Sequence, residues 1–404
     1  MKKLLTLILA TVVALGCCFG MTACGKDDDF KVGLICLHGE SSTYDKNFID
    51  AFEAACEAKG VSYIIKTDIA ESTDCYDTAM DLVDQGCDLI FADSFGHEDH
   101  MIRAARENPD VEFCHATGTK AHTENVANFH NAFASIYEGR YLAGVAAGLK
   151  LNTMKDKAVD NNFKVGYVGA WTYAEVISGF TSWFLGLRSA LDTGYTATME
   201  VQFTGSWYDE AAERDAANLL INRGAVLISQ HADSMGAPTA CETALVPNVS
   251  YNGSTATACP NTFIISSRIN WQPYYEYIID CAKNGTEIAT DWSQGLGTTW
   301  GNGSVALTDL GNAAAPGTQE YINNVIAEFK AGTRKVFDLS KFTVGDNPVS
   351  SEHKADVDTD AAYTPDTVVI KTANGITYFA ESEFRSAPYF DLNIDGITYL
   401  NTKY

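Results

Sequence analysis

The chain has 404 residues, enough for two or three domains at roughly 100–200 residues each, and its 46% hydrophobic content can fill two cores. Its 28 Lys and Arg stand against 52 Asp and Glu, for a formal net charge of −24. Binding to nucleic acid, or to an anionic membrane surface, needs basic patches, so DNA, RNA and anionic lipid are excluded as expected partners.

The N-terminus comes first in chain order. Lys2 and Lys3 precede an apolar run over residues 4–20, followed by Met21-Thr22-Ala23-Cys24 and the break Gly25-Lys26-Asp27-Asp28-Asp29. A basic start, a short apolar stretch and small residues before a break make a secretory signal. The ending resembles a bacterial lipobox, with Met21 where Leu is usual. Residues 1–23 are then the lipoprotein signal peptide, Cys24 the lipidated residue and 24–29 an anchor linker. An uncleaved anchor of the same orientation is the alternative. The expected location is the extracytoplasmic face of the cell membrane, held by lipid. Eight of the eleven Cys lie beyond Cys24 without a Cys-x-x-Cys pair. Cys241 and Cys259 are the first pair to test for a disulfide.

A βα unit then repeats. Residues 32–37 form a β-type apolar run, and 45–59 place Phe48, Phe52, Ala55 and Cys56 on one helical face before Gly60. A strand over 61–66 leads to a helix capped by Asp74 and stopped at Gly86. A strand over 87–92, a helix over 101–106 and a strand over 111–115 follow. After the polar crossover 152–162 the pattern restarts. Lys164-Val165-Gly166-Tyr167-Val168-Gly169 echoes Lys31-Val32-Gly33-Leu34-Ile35-Cys36, and leads to a helix over 175–191, a strand over 197–203 and a helix over 209–223. Strands over 225–229 and 249–251 and helices over 274–283 and 318–330 complete this half. Alternating strands and helices imply parallel βαβ units, hence two Rossmann-like lobes. Beyond an acidic linker at 356–360, Asn374-Gly375 and Asp395-Gly396 each interrupt alternating β-branched and aromatic residues. They predict a small C-terminal β-meander over 346–404.

Ligands of open α/β sheets bind beyond the carboxyl ends of the strands. Those ends gather Phe95, Trp171, Tyr173, Trp207 and Tyr208, which suits a planar ligand stacked on aromatic rings. Trp171 and Trp207 are expected to sandwich it from the second lobe, with Tyr44 and Phe95 approaching from the first. Asp45, Asp233 and Asn252 would read its donors and acceptors, with Ser94, Thr117 and His231 as secondary partners. The competing reading is an α/β hydrolase: Ala92-Asp93-Ser94-Phe95-Gly96 sits where a nucleophile elbow would, with His231 or His353 as possible bases. Its first Gly is replaced and no oxyanion motif accompanies it. His231 and Asp233 supply half a zinc site at most. The runs at Asp356-x-Asp358-x-Asp360 and Asp391-x-Asn393-x-Asp395-Gly396 lack the bidentate acid of a calcium loop. No P-loop occurs. No metal and no cofactor is expected.

Taken together, Asp93-Ser94-Phe95-Gly96, His115-Ala116-Thr117-Gly118, Asn128-Phe129-His130-Asn131, Arg140-Tyr141-Leu142-Ala143-Gly144, Trp207-Tyr208-Asp209, Gln230-His231-Ala232-Asp233-Ser234 and Trp271-x-Pro273-Tyr274-Tyr275 resemble the basic membrane protein family. These are lipid-anchored substrate-binding proteins of ABC importers, purine-nucleoside binders among them. The resemblance implies a periplasmic-binding-protein type I fold with a three-crossover hinge. Lobe 1 would hold 30–150 with about 266–295, and lobe 2 would hold 151–265 with about 296–345. It also implies ABC permease subunits as partners, and capture of a small planar solute, a purine base or nucleoside, without turnover. Nucleoside binders carry an acidic partner for ribose where Asn252 stands here, which brings a free nucleobase level with a nucleoside. A ligand-sensing lipoprotein receptor would use the same closure.

Overall fold

The computed structural model describes residues 30–293, 303–358 and 364–402. The signal sequence and Cys24 lie outside the described residues. In chain order β1 (Lys31–Ile35), α1 (Thr43–Lys59), β2 (Ser62–Lys66), α2 (Thr73–Asp84), β3 (Leu89–Ala92), α3 (Glu98–Glu107), β4 (Glu112–Ala116), the short α4 (Ala121–Glu124) and β5 (Phe129–Ala132) build the first half. The second half runs α5 (Ile136–Asn152), β6 (Asn162–Gly169), α6 (Ala174–Ser189), β7 (Thr196–Phe203), α7 (Glu210–Asn222), β8 (Ile228–Gln230), α8 (Gly236–Ala244), β9 (Asn248–Tyr251) and β10 (Phe263–Ile269). Then come α9 (Gln272–Asn284), β11 (Asp291–Trp292), β12 (Val305–Leu307) and α10 (Thr318–Ala331).

These strands form two sheets. One has the order β11-β5-β4-β3-β1-β2 and is parallel throughout. The other has the order β12-β10-β9-β8-β6-β7-β17, where β17 is Ile397–Tyr399, and only β12 runs antiparallel. Helices cover both faces, so central strand residues such as Leu34, Ile90, Phe91, Val165 and Tyr167 are fully buried. The chain passes between sheets after β5, after β10 and between β11 and β12. This is the two-lobed α/β architecture expected from the repeated βα pattern.

Local signals explain the element ends. Ser42 caps α1 by accepting from Asp45 N, Asp45 and Lys59 sit at the ends the helix dipole favours, and Gly60 closes it at φ 62°. At α2 the cap is Ser72, which accepts from Asp74 N, rather than Asp74 itself. The crossings also differ from expectation. Helix α5, expected with the first lobe, packs on α6, which follows β6 of the second sheet. Strand β10 stays in that second sheet through Ile269, a few residues beyond the expected return at about 266, and α9, expected in the first lobe, packs on α1.

The α5–α6 contact is a backbone contact. A Cβ on Gly144 would stand 1.9 Å from the Trp183 carbonyl oxygen, and one on Gly186 would stand 2.0 Å from that of Tyr141. Only glycine fits either place.

The C-terminal extension corrects the meander. Strands β13 (Lys354–Ala355) and β14 (Thr367–Val368) pair with each other, and β15 (Ile370–Ala373) and β16 (Ile376–Phe379) form the hairpin at Asn374-Gly375. Asp395-Gly396 makes no hairpin. The Asp395 carboxylate accepts from Thr343 Oγ1, Gly345 N and Asp346 N, and β17 runs on as a parallel edge strand against β7. All eight described cysteines, Cys241 and Cys259 included, are buried free thiols. No described helix is long and apolar enough to cross a membrane.

Overpacking a tight contact costs about 1–3 kcal/mol, and more where backbone must move. Gly186→Ala is therefore expected to lose at least that much in urea unfolding. An unchanged midpoint would show that the two helices do not meet there.

Candidate functional site

The carboxyl ends of both sheets open onto one cavity of about 570 Å³. Tyr44, Asp45, Ser94, Phe95 and Thr117 line it from the first lobe, and Trp207, His231 and Asp233 from the second. Two expected residues do not reach it. Trp171 is stacked behind Tyr173, with ring centroids 5.9 Å apart and planes at 15°, and Tyr173 takes the wall position. Asn252 is buried at φ 62°, with its backbone N–H on Ser267 O, behind the lining residue Tyr251.

The wall aromatics form a connected set. Tyr173 lies 5.2 Å from Phe95 across the cleft and 6.0 Å from Trp207. The lobes also meet through hydrogen bonds: Thr43 N and Thr43 Oγ1 both donate to Asp233 O at 3.1 Å. His38 and Tyr208 approach to 5.3 Å between centroids. The cleft is in a closed arrangement.

Carboxyl groups dominate the polar wall. Asp45 accepts from His38 N at 2.8 Å, and its neighbour Asp93 accepts from Leu37 N at 3.1 Å. Tyr44 donates its hydroxyl to Asp93 O at 2.7 Å, which ties this ring of α1 to the loop after β3. Thiol and carboxyl atoms of Cys36, Asp45 and Asp93 lie within 4.8 Å of one another, the only such potential metal-holding group among the described residues. Burial, and then the Asp45 charge, push Asp93 well above the usual carboxylate range, which favours its protonated form beside Asp45. Asp233 is pushed up in the same way, by burial and then by Asp45, Glu213 and Glu175. Glu98, raised by burial, is spent on the loop after β4, accepting from Thr119 N, Lys120 N and Asn131 Nδ2.

Among the described residues, the partners of Ser94 do not form a hydrolase triad. Ser94 Oγ donates to Glu71 Oε1 at 2.7 Å, and the nearby His115 imidazole bonds the Ser94 carbonyl oxygen instead. His231 and His353 are engaged by Glu175 and Asp391 respectively.

Other wall residues escaped the sequence reading. Glu175 opens α6 directly beyond β6, a position that flags it in hindsight. Arg385, Tyr389 and Asp391 arrive from the C-terminal extension; Asp391 opens the run that imitates a calcium loop, and no local sequence signal marks Arg385 and Tyr389.

A sequence model of a protein family, the PnrA-like substrate-binding proteins of ABC transporters, matches residues 38–315. The chain belongs to this Bmp family. A Haloferax volcanii protein, provisionally named an ABC transporter glucose-binding protein, is 33% identical over 211 residues, 52% of this chain and 50% of its own. The match thus spans about half of that relative. A purine-binding protein of Brucella abortus is 30% identical over 266 residues, covering 65% of this chain and 70% of its own. Among solved structures, an ABC transporter solute-binding protein from Conexibacter woesei superposes with a TM-score of 0.60 at 20% identity, covering 76% of this chain and 98% of its own. That likeness supports the fold.

The Asp93 shift has a pH signature. A carboxyl raised on folding stabilises fully below its unfolded value of about 4, and that contribution is lost as pH rises through the raised value. Stability of the wild type is expected to fall from pH 5 to pH 8 more steeply than that of Asp93→Asn, which keeps the Leu37 N–H acceptor without the charge. Urea unfolding across the range reads the slopes, and equal slopes would refute the upward shift of Asp93.

Proposed function

We propose that this protein captures an unphosphorylated purine-type heterocycle, a free base or a nucleoside, and presents it to an ABC permease. The observation that carries this reading is the cavity wall itself: Phe95, Tyr173 and Trp207 offer ring faces to a planar ligand, while Asp45, Asp233 and Glu175 offer acceptors to its edge. A phosphate would meet those carboxyl groups in a poorly hydrated cleft. Hinged lobes that close on a solute suit capture followed by release, and no bond is made or broken in this role. The name of the Brucella abortus relative supports the purine class. The Haloferax volcanii relative's name favours a sugar instead, and rings with carboxylates serve pyranoses as well.

Mass spectrometry of solute released from the purified protein identifies the ligand without a prior guess, and calorimetry with adenine, guanosine and glucose ranks the classes. A purine as the tightest titrant is the expected result; tight glucose binding alone overturns the purine reading. Trp207→Ala is expected to weaken binding about tenfold, the worth of one good ring contact. Unchanged affinity would make Trp207 a packing residue.

The same reading places the protein outside the cytoplasm, anchored through Cys24. Labelled palmitate should enter the wild type in a bacterial host and not Cys24→Ser. Equal labelling of both would refute the anchor.

A further inference from the structure

Arg140 is the most buried cation of the second lobe, 1% exposed on α5. Its Nη1 donates to Gln230 O at 2.9 Å, its Nη2 contacts His231 Nδ1 at 3.0 Å, and the guanidinium lies 3.1 Å over the Tyr251 ring. A guanidinium can only donate, so His231 Nδ1 must accept and the imidazole proton must sit on Nε2. That nitrogen faces Glu175 Oε2 at 2.7 Å. The three side chains form one directed chain, from Arg140 through His231 to Glu175. Burial lowers the His231 pKa and, with the Arg140 charge, outweighs the upward pull of Glu175, which favours the neutral imidazole. Space for the chain is built into α6: a Cβ on Gly179, one turn after Glu175, would stand 3.0 Å from His231 Nδ1.

Charge balance then decides the role of Glu175. A buried cation without a counter-charge is strongly destabilising, and the direct partners of Arg140 are a carbonyl oxygen, a neutral ring and an aromatic face. The relayed partner is the Glu175 carboxylate, which lines the cavity. The Nε2–H of His231 holds it in a fixed orientation before any ligand arrives.

We propose that Glu175 is the specificity-determining carboxylate of the cavity, reading an N–H donor edge of the ligand, and that Arg140 and His231 are its positioning residues. The proposal rests on the cavity being the ligand site, as argued above. It deepens that reading by naming the ligand's recognised feature: an amino group or ring N–H in the plane of the heterocycle. An anion, or a heterocycle lacking N–H donors on that edge, leaves the carboxylate unpaired in a dry site.

The test compares Glu175→Gln, His231→Leu and His231→Gln with the wild type by calorimetry with adenine. A charge-assisted hydrogen bond is worth about a 10- to 100-fold change in affinity. Glu175→Gln and His231→Leu are each expected to weaken adenine binding by at least about tenfold. His231→Gln should stay within about threefold of wild type, because its amide can accept from Arg140 and donate to Glu175. Wild-type affinity in Glu175→Gln refutes the reading role, and wild-type affinity in His231→Leu refutes the positioning role. Nitrogen-15 NMR of the wild-type histidines gives a readout that does not depend on folding of a variant. The Nε2–H tautomer is expected at His231, and an Nδ1–H tautomer or an imidazolium overturns the relay whatever binds. If guanosine proves the tighter purine, it replaces adenine in the same variant comparison; if neither purine binds and glucose does, the purine reading and the N–H recognition by Glu175 both fail, while the His231 tautomer still decides the relay.

Discussion

Two helices touching backbone to backbone set the geometry on which the site depends. Gly144 and Gly148 on α5 face Trp183 and Leu187 on α6, and Gly186 on α6 faces Tyr141 on α5. At that separation the Arg140 side chain of α5 reaches the carboxyl end of β8, where it meets His231. The same contact fixes the rotation of α6 about its axis, and with it the placing of Gly179 and Glu175 in the turns nearest the cleft. A methyl group at the crossing would push α6 outward and loosen every link of the chain from Arg140 to Glu175. Packing therefore acts on function through position: the site's charge is organised by a contact that includes no charge.

The wall that results is acidic, and the physics of burial explains how it survives. Carboxylates this close in a low-dielectric cleft repel, and the cheapest relief is a proton on one member, as Asp93 shows beside Asp45. Glu175 takes another route, facing His231 Nε2 at 2.7 Å while Arg140 contacts the other nitrogen of that ring. A protonated carboxyl group can donate as well as accept, and one that faces an imidazole N–H is oriented to accept. One cavity thus offers a ligand both kinds of partner. Closure adds little new chemistry, since Thr43 bonds only the backbone oxygen of Asp233 and leaves its side chain to the cavity.

Much of the fold was readable because parallel βα units leave strong local signatures. Runs such as Val32-Gly33-Leu34-Ile35 and the face of Phe48, Phe52, Ala55 and Cys56 have one period each and fall where expected. Helix α5 escaped because it is buried on nearly every side, so it has no polar face to mark its period. Its departure from the first lobe is a tertiary choice, made by the glycines facing α6. The strand at Ile397–Tyr399 was legible as a strand and illegible as a neighbour of β7, since parallel pairing leaves no turn in the sequence. In the site, the loop after β6 carries Trp171 and Tyr173 two residues apart. Alternation alone cannot say which ring faces inward, and the structure puts Tyr173 there. Arg140 lay inside a motif recognised by resemblance, yet its partners His231 and Glu175 come from distant elements.

The C-terminal extension belongs to the same argument, because it lies beyond the residues that match the family and still reaches the cavity. It is fastened to the second sheet by β17 and, through the Tyr137 hydroxyl on Glu381 O, to α5. It also touches the first sheet, where Ser386 N donates to the Asp291 carboxylate of β11 at 2.8 Å. A segment tied to both lobes cannot stay unchanged while they separate: either the Ser386–Asp291 bond breaks, or the segment bends. Bending is resisted by its own packing, with Phe390 stacked on Phe337 at 4.3 Å and Glu381 buried, its carboxyl pushed up to about 8 by desolvation. Opening therefore costs least where the extension meets β11 at Asp291, and Tyr389 travels with the second lobe. The ligand would leave a wall that moves as one piece with Glu175, Trp207 and His231.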